Sequence, residues 1–275
     1  MTPGKVRDIV ALFVVVGLVL LAGIWATGGL SGRPKMVLAT TTSTEDSGLL
    51  DYLLPVFERA HDVDVKVIAV GTGQALELAR RGDADVTLVH AKARELEFMA
   101  QGHGAYRLPV MYNYFVIVGP PEDPAGIRGT NVTIALQRIA ASEATFLSRG
   151  DRSGTHTKEL QLWALAGITP AGRWYKEVGN GMEATLRMAD QLRAYTLSDD
   201  GTFTVHQDRL GLAKVVPPEP PLENHYSVIP VNVTRHPNVR SAYADAFAMW
   251  ITGPEGQALI ASYKVRGTQI FYPEG

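Results

Sequence analysis

Three segments of this sequence concentrate residues that donate hydrogen bonds. The first, at positions 39–48, reads ATTTSTEDSG and contains five consecutive hydroxyl residues. The second, VGTGQAL at 70–76, places one threonine between two glycines, and the third, SRGDRSGTH at 148–156, adds arginine and aspartate to serine, glycine and threonine. Hydroxyls, backbone N–H groups and a guanidinium are the groups with which proteins bind oxyanions. Together the segments predict an anion site.

Each segment lies where a predicted strand gives way to a predicted helix. Buried strands are expected at 36–41 and 63–70, and helices at 74–81 and 155–166. In an open α/β sheet, ligands bind beyond the carboxyl ends of the strands, and a helix that begins there directs unpaired N–H groups at the ligand. Taken singly, the segments also fit a helix-capping cluster, an ordinary turn and a charged surface loop.

Composition excludes several other functions. The 275 residues contain no cysteine, so disulfides, thiolate metal sites and a cysteine nucleophile are ruled out. The net charge of −2 does not suggest a nucleic-acid partner. None of the seven histidines forms an i, i+4 pair typical of zinc enzymes, and no G-x-S-x-G motif occurs. We therefore expect no catalytic residue, no cofactor and no metal ion.

The N-terminus has the pattern of a secretory signal. Lys5 and Arg7 precede an apolar run at 9–26, which small residues follow. The run is also long enough for a short membrane helix. Residues 1–30 are therefore interpreted as a signal peptide or an uncleaved membrane anchor. Either alternative places the rest of the chain outside the cytoplasm.

The remaining pattern alternates short strands with amphipathic helices, which is typical of an α/β protein. Further elements are expected as helices at 49–60, 94–101, 132–141, 182–193, 239–251 and 255–263, and as strands at 85–90, 108–119, 212–216 and 226–233. Pro55 is expected to kink or shorten its helix. Two proline-rich loops, at 119–126 and 217–225, suggest two crossings between lobes.

A family resemblance rests on the motifs TTTS, GTG, FVIVGP, SRGDRSGTH and VIPVN, in this order. From residue 37 to residue 263 the chain resembles the periplasmic tungstate-binding proteins of ABC importers. The resemblance implies a two-lobed periplasmic binding protein fold of the second type, in a monomer that closes on one anion. It implies a first lobe of 36–118 with 231–275, and a second lobe of 119–230.

Carried over to this chain, the resemblance implies that tungstate or molybdate is bound and delivered to a membrane permease. Two places depart from the family pattern, since Tyr114 stands where an acid is usual, and a glycine that is usual near Glu183 is not found there. The residues implied to bind the anion are Thr41, Thr42, Ser43, Thr72, Arg149, Ser153, Thr155 and, through its backbone, Gly154.

Phosphate and sulfate are alternative anions, and a membrane-tethered oxyanion sensor is an alternative role. Tungstate and molybdate are fully ionised near neutral pH and only accept hydrogen bonds, whereas phosphate also donates. A carboxylate that faces the ligand therefore favours phosphate. Asp151 is the acid inside the arginine-containing motif. If it braces Arg149 instead of facing the ligand, tungstate or molybdate is favoured.

Overall fold

The computed structural model describes residues 32–274, and the apolar run at 9–26 lies outside this part of the chain. The strands are β1 (Lys35–Thr41), β2 (Asp64–Val70), β3 (Val86–Val89), β4 (Leu108–Gly119), β5 (Phe146–Ser148), β6 (Tyr175–Glu177), β7 (Tyr195–Asp199), β8 (Ala213–Lys214), β9 (Glu223–Pro230), β10 (Lys264–Val265), β11 (Thr268–Gln269) and β12 (Tyr272–Pro273). The helices are α1 (Thr42–Asp46), α2 (Leu49–His61), α3 (Thr72–Arg81), α4 (Lys92–Ala100), α5 (Val132–Ala141), α6 (Gly154–Leu165), α7 (Met182–Leu192), α8 (Asp200–His206), α9 (Ser241–Thr252) and α10 (Pro254–Ser262). Among the helices of residues 32–274, none has the length and apolar character needed to span a membrane.

A mixed sheet runs through the molecule in the order β2-β1-β3-β9-β4-β7-β5-β6, and β8 and β12 pair with β4. Strand β1 is parallel to β2 and β3, and β5 is parallel to β6 and β7. The two parallel groups are joined through β9 and β4, which run antiparallel to each other and to their outer neighbours β3 and β7. This is an α/β fold with two lobes, as the sequence predicts.

Strand β4 belongs to both halves of the sheet. Its residues 108–114 pair with β9, and its residues 115–118 pair with β7. Phe115 and Ile117 accordingly pack into the hydrophobic core that surrounds β7. The chain therefore passes from one lobe to the other inside this strand.

The limits of the lobes stay a proposal: lobe 1 comprises 36–118 and 231–275, and lobe 2 comprises 119–230. The crossing inside β4 supports the first limit to within a few residues. Strand β9 pairs with β3 and with the first half of β4, so the chain already contacts lobe 1 along this strand. We use the names lobe 1 and lobe 2 in this sense.

Each lobe has its own aromatic core. In lobe 1, Phe57 meets Phe247 edge to face with the ring centroids 5.1 Å apart. In lobe 2, Phe146 meets Trp163 edge to face, also at 5.1 Å. Edge-to-face pairs of this kind stabilise beyond their buried area. Two independent cores allow each lobe to hold its own part of the site rigidly.

Helix α2 shows how burial overrides a local preference. Leu49, Leu53 and Phe57 recur every four residues and are completely buried. Pro55 lies inside this helix, which continues to His61. Of the two expected effects of Pro55, shortening of the helix is therefore wrong, and a kink stays a prediction. Packing of the apolar face outweighs the backbone hydrogen bond that proline removes.

Candidate functional site

A cavity of about 670 Å³ collects the three hydrogen-bonding segments of the sequence. All eight predicted ligand residues line it, which are Thr41, Thr42, Ser43, Thr72, Arg149, Ser153, Gly154 and Thr155. The first four come from lobe 1 and the last four from lobe 2. The structure thus brings the predicted residues together between the lobes, and their roles in binding stay a prediction.

The lobe 1 wall begins with a cluster of hydroxyls at the end of β1. Thr41 is the N-cap of α1, and its Oγ1 lies 2.7 Å from Thr44 Oγ1 and 3.2 Å from Ser43 Oγ. Thr42 is exposed at the cavity surface. Thr40 is turned away, because its hydroxyl donates to Leu88 O at 2.7 Å. The run of hydroxyls is therefore divided between capping, sheet bonding and the cavity.

Behind this cluster lies His90, at the end of β3. Asn224 Nδ2 donates to Asn113 Oδ1 at 2.8 Å, so the Oδ1 of Asn224 faces His90 Nδ1 at 3.0 Å. This oxygen accepts a hydrogen bond from the protonated Nδ1. The bare Nε2 then accepts a hydrogen bond from Thr41 (3.1 Å) or Ser43 (3.4 Å). Burial lowers the pKa of His90 to about 4, helped by the charge of Arg149. The ring is therefore neutral near pH 7 and orients the hydroxyls.

The second part of this wall is the start of α3. Gly71 is the N-cap and supplies no side-chain bond to the helix, so the first N–H groups of α3 are open to a ligand. Thr72, the first helical residue, is only 2% exposed. Its Oγ1 is buried and has no hydrogen-bond partner among the described residues. A buried hydroxyl in this state costs about 1–3 kcal/mol, which an acceptor in the cavity would recover.

The lobe 2 wall is dominated by Arg149, which follows β5 directly. Its side chain is almost completely buried, and its Nη2 donates to Asp151 Oδ2. Its Nε has no hydrogen-bond partner among residues 32–274. Gly150 adopts a left-handed conformation with φ of 61°, and a Cβ there would come within 2.7 Å of Glu177 Cβ. Glycine at this position therefore lets the loop lie close to β6.

Asp151 braces this loop and does not stand free in the cavity. One carboxylate oxygen accepts from Arg149, and the other accepts from Ser153 N at 3.1 Å. Burial raises the pKa of Asp151, but hydrogen bonds from Ser153 and the charge of Arg149 outweigh it, so the net pKa is below its usual value. The carboxylate is therefore ionised and holds the guanidinium in place.

The start of α6 completes the lobe 2 wall. Ser153 is the N-cap, and its Oγ accepts from His156 N at 3.3 Å. His156 Nδ1 accepts from Arg152 N at 3.0 Å, so this histidine fixes the loop. Thr155 is buried at the cavity surface. The helix N-terminus adds its partial positive charge to that of the arginine.

The two walls come into contact at Gly154. A Cβ on this residue would lie 3.1 Å from His90 Cε1 and 3.6 Å from Thr72 Oγ1. Both of these atoms belong to lobe 1. The absence of a side chain therefore allows the lobes to approach each other beside the cavity.

Sequence reasoning did not assign His90, Arg94 or Arg152 to the site, although all three line the cavity. His90 had a usable signal, since it is the last residue of a predicted strand whose carboxyl end lies at the same edge of the sheet as that of β1. Arg94 lies in an amphipathic helix without any motif, and nothing in the local sequence marks it. Within residues 32–274, no cluster of three or more histidine or acidic side chains could hold a metal ion.

The chain is similar to known anion-binding proteins in sequence and in structure. Residues 27–255 match the model of the PBP superfamily domain. A candidate ABC transporter anion-binding protein of Haloferax volcanii is 51% identical over 247 residues, which cover 87% of this chain and 72% of that protein. The tungstate-binding protein TupA of Peptoclostridium acidaminophilum is 47% identical over 246 residues, which cover 88% of this chain and 86% of that protein. The solved structure of TupA from Desulfovibrio alaskensis G20 is similar with a TM-score of 0.80 at 40% identity, and the match covers 88% of this chain and 99% of that one.

Proposed function

Because this chain belongs to the PBP superfamily and, within it, to the family of the TupA tungstate-binding proteins, we propose that it binds tungstate between its lobes and delivers the anion to an ABC permease. It is a binding protein and not an enzyme. It works outside the cytoplasm. Residues 1–30 serve as its signal peptide or its membrane anchor.

The observation that carries the proposal is a pair of unpaired, buried donors on opposite walls of one cavity. Thr72 Oγ1 stands on the lobe 1 side and Arg149 Nε on the lobe 2 side, and neither has a partner among the described residues. A tetrahedral oxyanion accepts hydrogen bonds from several directions. One such anion between the lobes would satisfy both groups and, by doing so, hold the lobes together.

The chemistry of the donors favours an anion that carries no proton. Hydroxyls and N–H groups donate, the guanidinium adds a positive charge, and tungstate needs no acceptor in return. Phosphate carries a proton near pH 7 and would need one. Both oxygens of Asp151 are used by Arg149 and Ser153. The nearby carboxylate is thus engaged in the loop, which favours tungstate or molybdate over phosphate.

A titration panel tests this function. We expect tungstate to bind the full chain with one site in isothermal titration calorimetry, and to raise its melting temperature by mass action. Sulfate and phosphate should bind more weakly than tungstate. Molybdate, which is nearly equal to tungstate in size, serves to measure the selectivity between these two anions. Absence of tungstate binding, or tighter binding of phosphate, would contradict the proposal.

A further inference from the structure

Arg94 brings another guanidinium to the cavity from outside the three anion-binding motifs. It lies near the start of α4, is half-buried, and lines the cavity with Thr72 and Gly73. Its Nη1 is 2.9 Å from the position that a Cβ would take on Gly73. The guanidinium therefore lies against the first turn of α3, and a side chain at position 73 would push it aside.

No ion pair offsets the charge of Arg94 among the described residues. Arg149 forms an ion pair with Asp151, so these two side chains together add no net charge to the cavity. No hydrogen bond or ion pair engages the Arg94 side chain within residues 32–274. Arg152 also lines the cavity, but it is exposed, and water and salt screen an exposed charge more strongly. Arg94 is thus the partly buried cation whose charge remains available to a ligand.

We propose that Arg94 is an anion-binding residue that selects doubly charged over singly charged tetrahedral oxyanions. The inference rests on the proposed function, because it concerns the same cavity and the same ligand class. Its physical reason is that a Coulomb interaction scales with the product of the charges. The attraction of one guanidinium to a dianion is therefore about twice its attraction to a monoanion of equal size.

Tungstate and perrhenate are suitable probes, since they are tetrahedral and nearly equal in size and carry two charges and one. The dissociation constants of both anions are measured by calorimetry on the full chain and on the variants Arg94→Gln and Arg94→Lys. Arg81→Gln is the matched control. Arg81 lies at the other end of α3, is exposed, and pairs with Asp83 at 2.9 Å. Melting curves without anion check that each variant is folded.

We expect Arg94→Gln to weaken tungstate binding about tenfold or more and perrhenate binding only about threefold, because the free-energy loss scales with ligand charge. Arg94→Lys should stay within about threefold of the parent for tungstate, since it keeps the charge. Arg81→Gln should leave both affinities unchanged.

Two results would overturn the inference about Arg94. One is a tungstate affinity of Arg94→Gln within about twofold of the parent, which is the limit expected for a screened surface charge. The other is an equal loss for both anions, which would indicate a structural role. In either case tungstate binding by the parent would leave the proposed function intact. A parent chain that binds no tungstate would instead contradict the proposed function and this inference together.

Discussion

The two walls of the cavity present different chemical groups to an anion. Within the three anion-binding motifs, lobe 1 presents neutral donors, with the hydroxyls of Thr41 and Thr72 beside a neutral His90, and Arg94 adds its charge from outside these motifs. Lobe 2 presents Arg149, whose charge is held and offset by Asp151. Neutral donors face water at little cost when the site is empty, whereas the almost completely buried guanidinium of Arg149 is held in position by its counter-ion Asp151. We infer that neither wall alone is sufficient and that the anion joins them.

The largest loss of tungstate affinity is expected from a change at Arg149 in lobe 2. Arg149→Ala removes a guanidinium and leaves the Asp151 carboxylate without its partner in the cavity wall. An unpaired carboxylate repels a dianion, so we expect tungstate affinity to fall by about 100-fold or more, as for other buried charge-assisted contacts. Calorimetry on the full chain measures this loss.

A double variant separates the two causes. Arg149→Ala with Asp151→Asn lacks both charges and should regain part of the lost affinity, since the repulsion is gone. An affinity of Arg149→Ala within about threefold of the parent, hardly more than an exposed charge contributes, would mean that lobe 2 does not contact the anion.

A change in the neutral donors of lobe 1 should give a smaller loss of tungstate affinity. Thr72→Val keeps the shape of the side chain and removes the unpartnered hydroxyl, so tungstate binding should weaken by about 1–2 kcal/mol. The free energy of unfolding without anion should not fall, because that hydroxyl has no partner in the described protein. Calorimetry and denaturant unfolding measure the two quantities.

Thr87→Val is the matched control for this prediction. Thr87 is fully buried in β3 of the same lobe, does not line the cavity, and donates to Ile229 O at 3.5 Å. We expect Thr87→Val to lower the free energy of unfolding and to leave tungstate affinity unchanged. Equal loss of affinity in the two variants would show that Thr72 acts only through the fold.

A change at Gly154, where the walls are in contact, should lower tungstate affinity by a still smaller amount. Gly154→Ala places a methyl group 3.1 Å from His90 Cε1, so the lobes must separate slightly or the ring must shift. We expect a loss of about 1 kcal/mol in tungstate affinity, at the low end of overpacking costs. Gly181→Ala is the control, because Gly181 also lines the cavity as a helix N-cap, with no atom near its missing Cβ. If both alanines had the same effect, close approach of the lobes would not matter.

The smallest change in affinity is expected from pH, because burial keeps His90 neutral, with a pKa of about 4. The effect of pH through His90 is on the free energy of unfolding. Between pH 6.5 and 4 the unfolded chain binds a proton at His90 that the folded chain does not, so stability is lost as pH falls through this window. In lobe 2, burial raises the pKa of Glu159 to about 7, which gives the opposite sign. The contribution of Glu159 to the free energy of unfolding is present below pH 4.5 and is lost as pH rises through 7.

Denaturant unfolding of His90→Gln and Glu159→Gln across pH 4 to 7.5 separates these contributions. Relative to the parent, His90→Gln should gain stability as pH falls from 6.5 to 4, and Glu159→Gln should gain as pH rises from 4.5 to 7. Differences from the parent that do not vary with pH would show that these groups titrate as they do in the unfolded chain.

The sequence predicted which residues line the cavity better than it predicted the ends of the strands, for physical reasons. Glycine and hydroxyl turns mark strand-to-helix junctions, so the residues that line the cavity could be found. The strand expected at 212–216 is reduced to Ala213–Lys214. Val215 and Val216 are apolar because they pack in the core of lobe 2, and they do not extend the strand. The strand expected at 226–233 ends at Pro230 and begins at Glu223. Its polar start pairs with β4, which an apolar pattern does not indicate.

Other elements had no local signal at all. Strands β5 and β6 have three residues each, too few for a period of two to be recognised. Arg94 and Asn224 reach the site and its supporting network through tertiary packing of distant segments. Such residues become visible only when the fold brings their helices and strands together.

Anomalous diffraction at the tungsten absorption edge, from crystals of the full chain grown with tungstate, would show whether one anion contacts both walls of the cavity. We expect one tungsten atom in the cavity, with oxygens within hydrogen-bonding distance of Thr72 Oγ1 and of the Arg149 guanidinium. Tungsten bound elsewhere, or bound to one wall without contact to the other, would contradict this expectation.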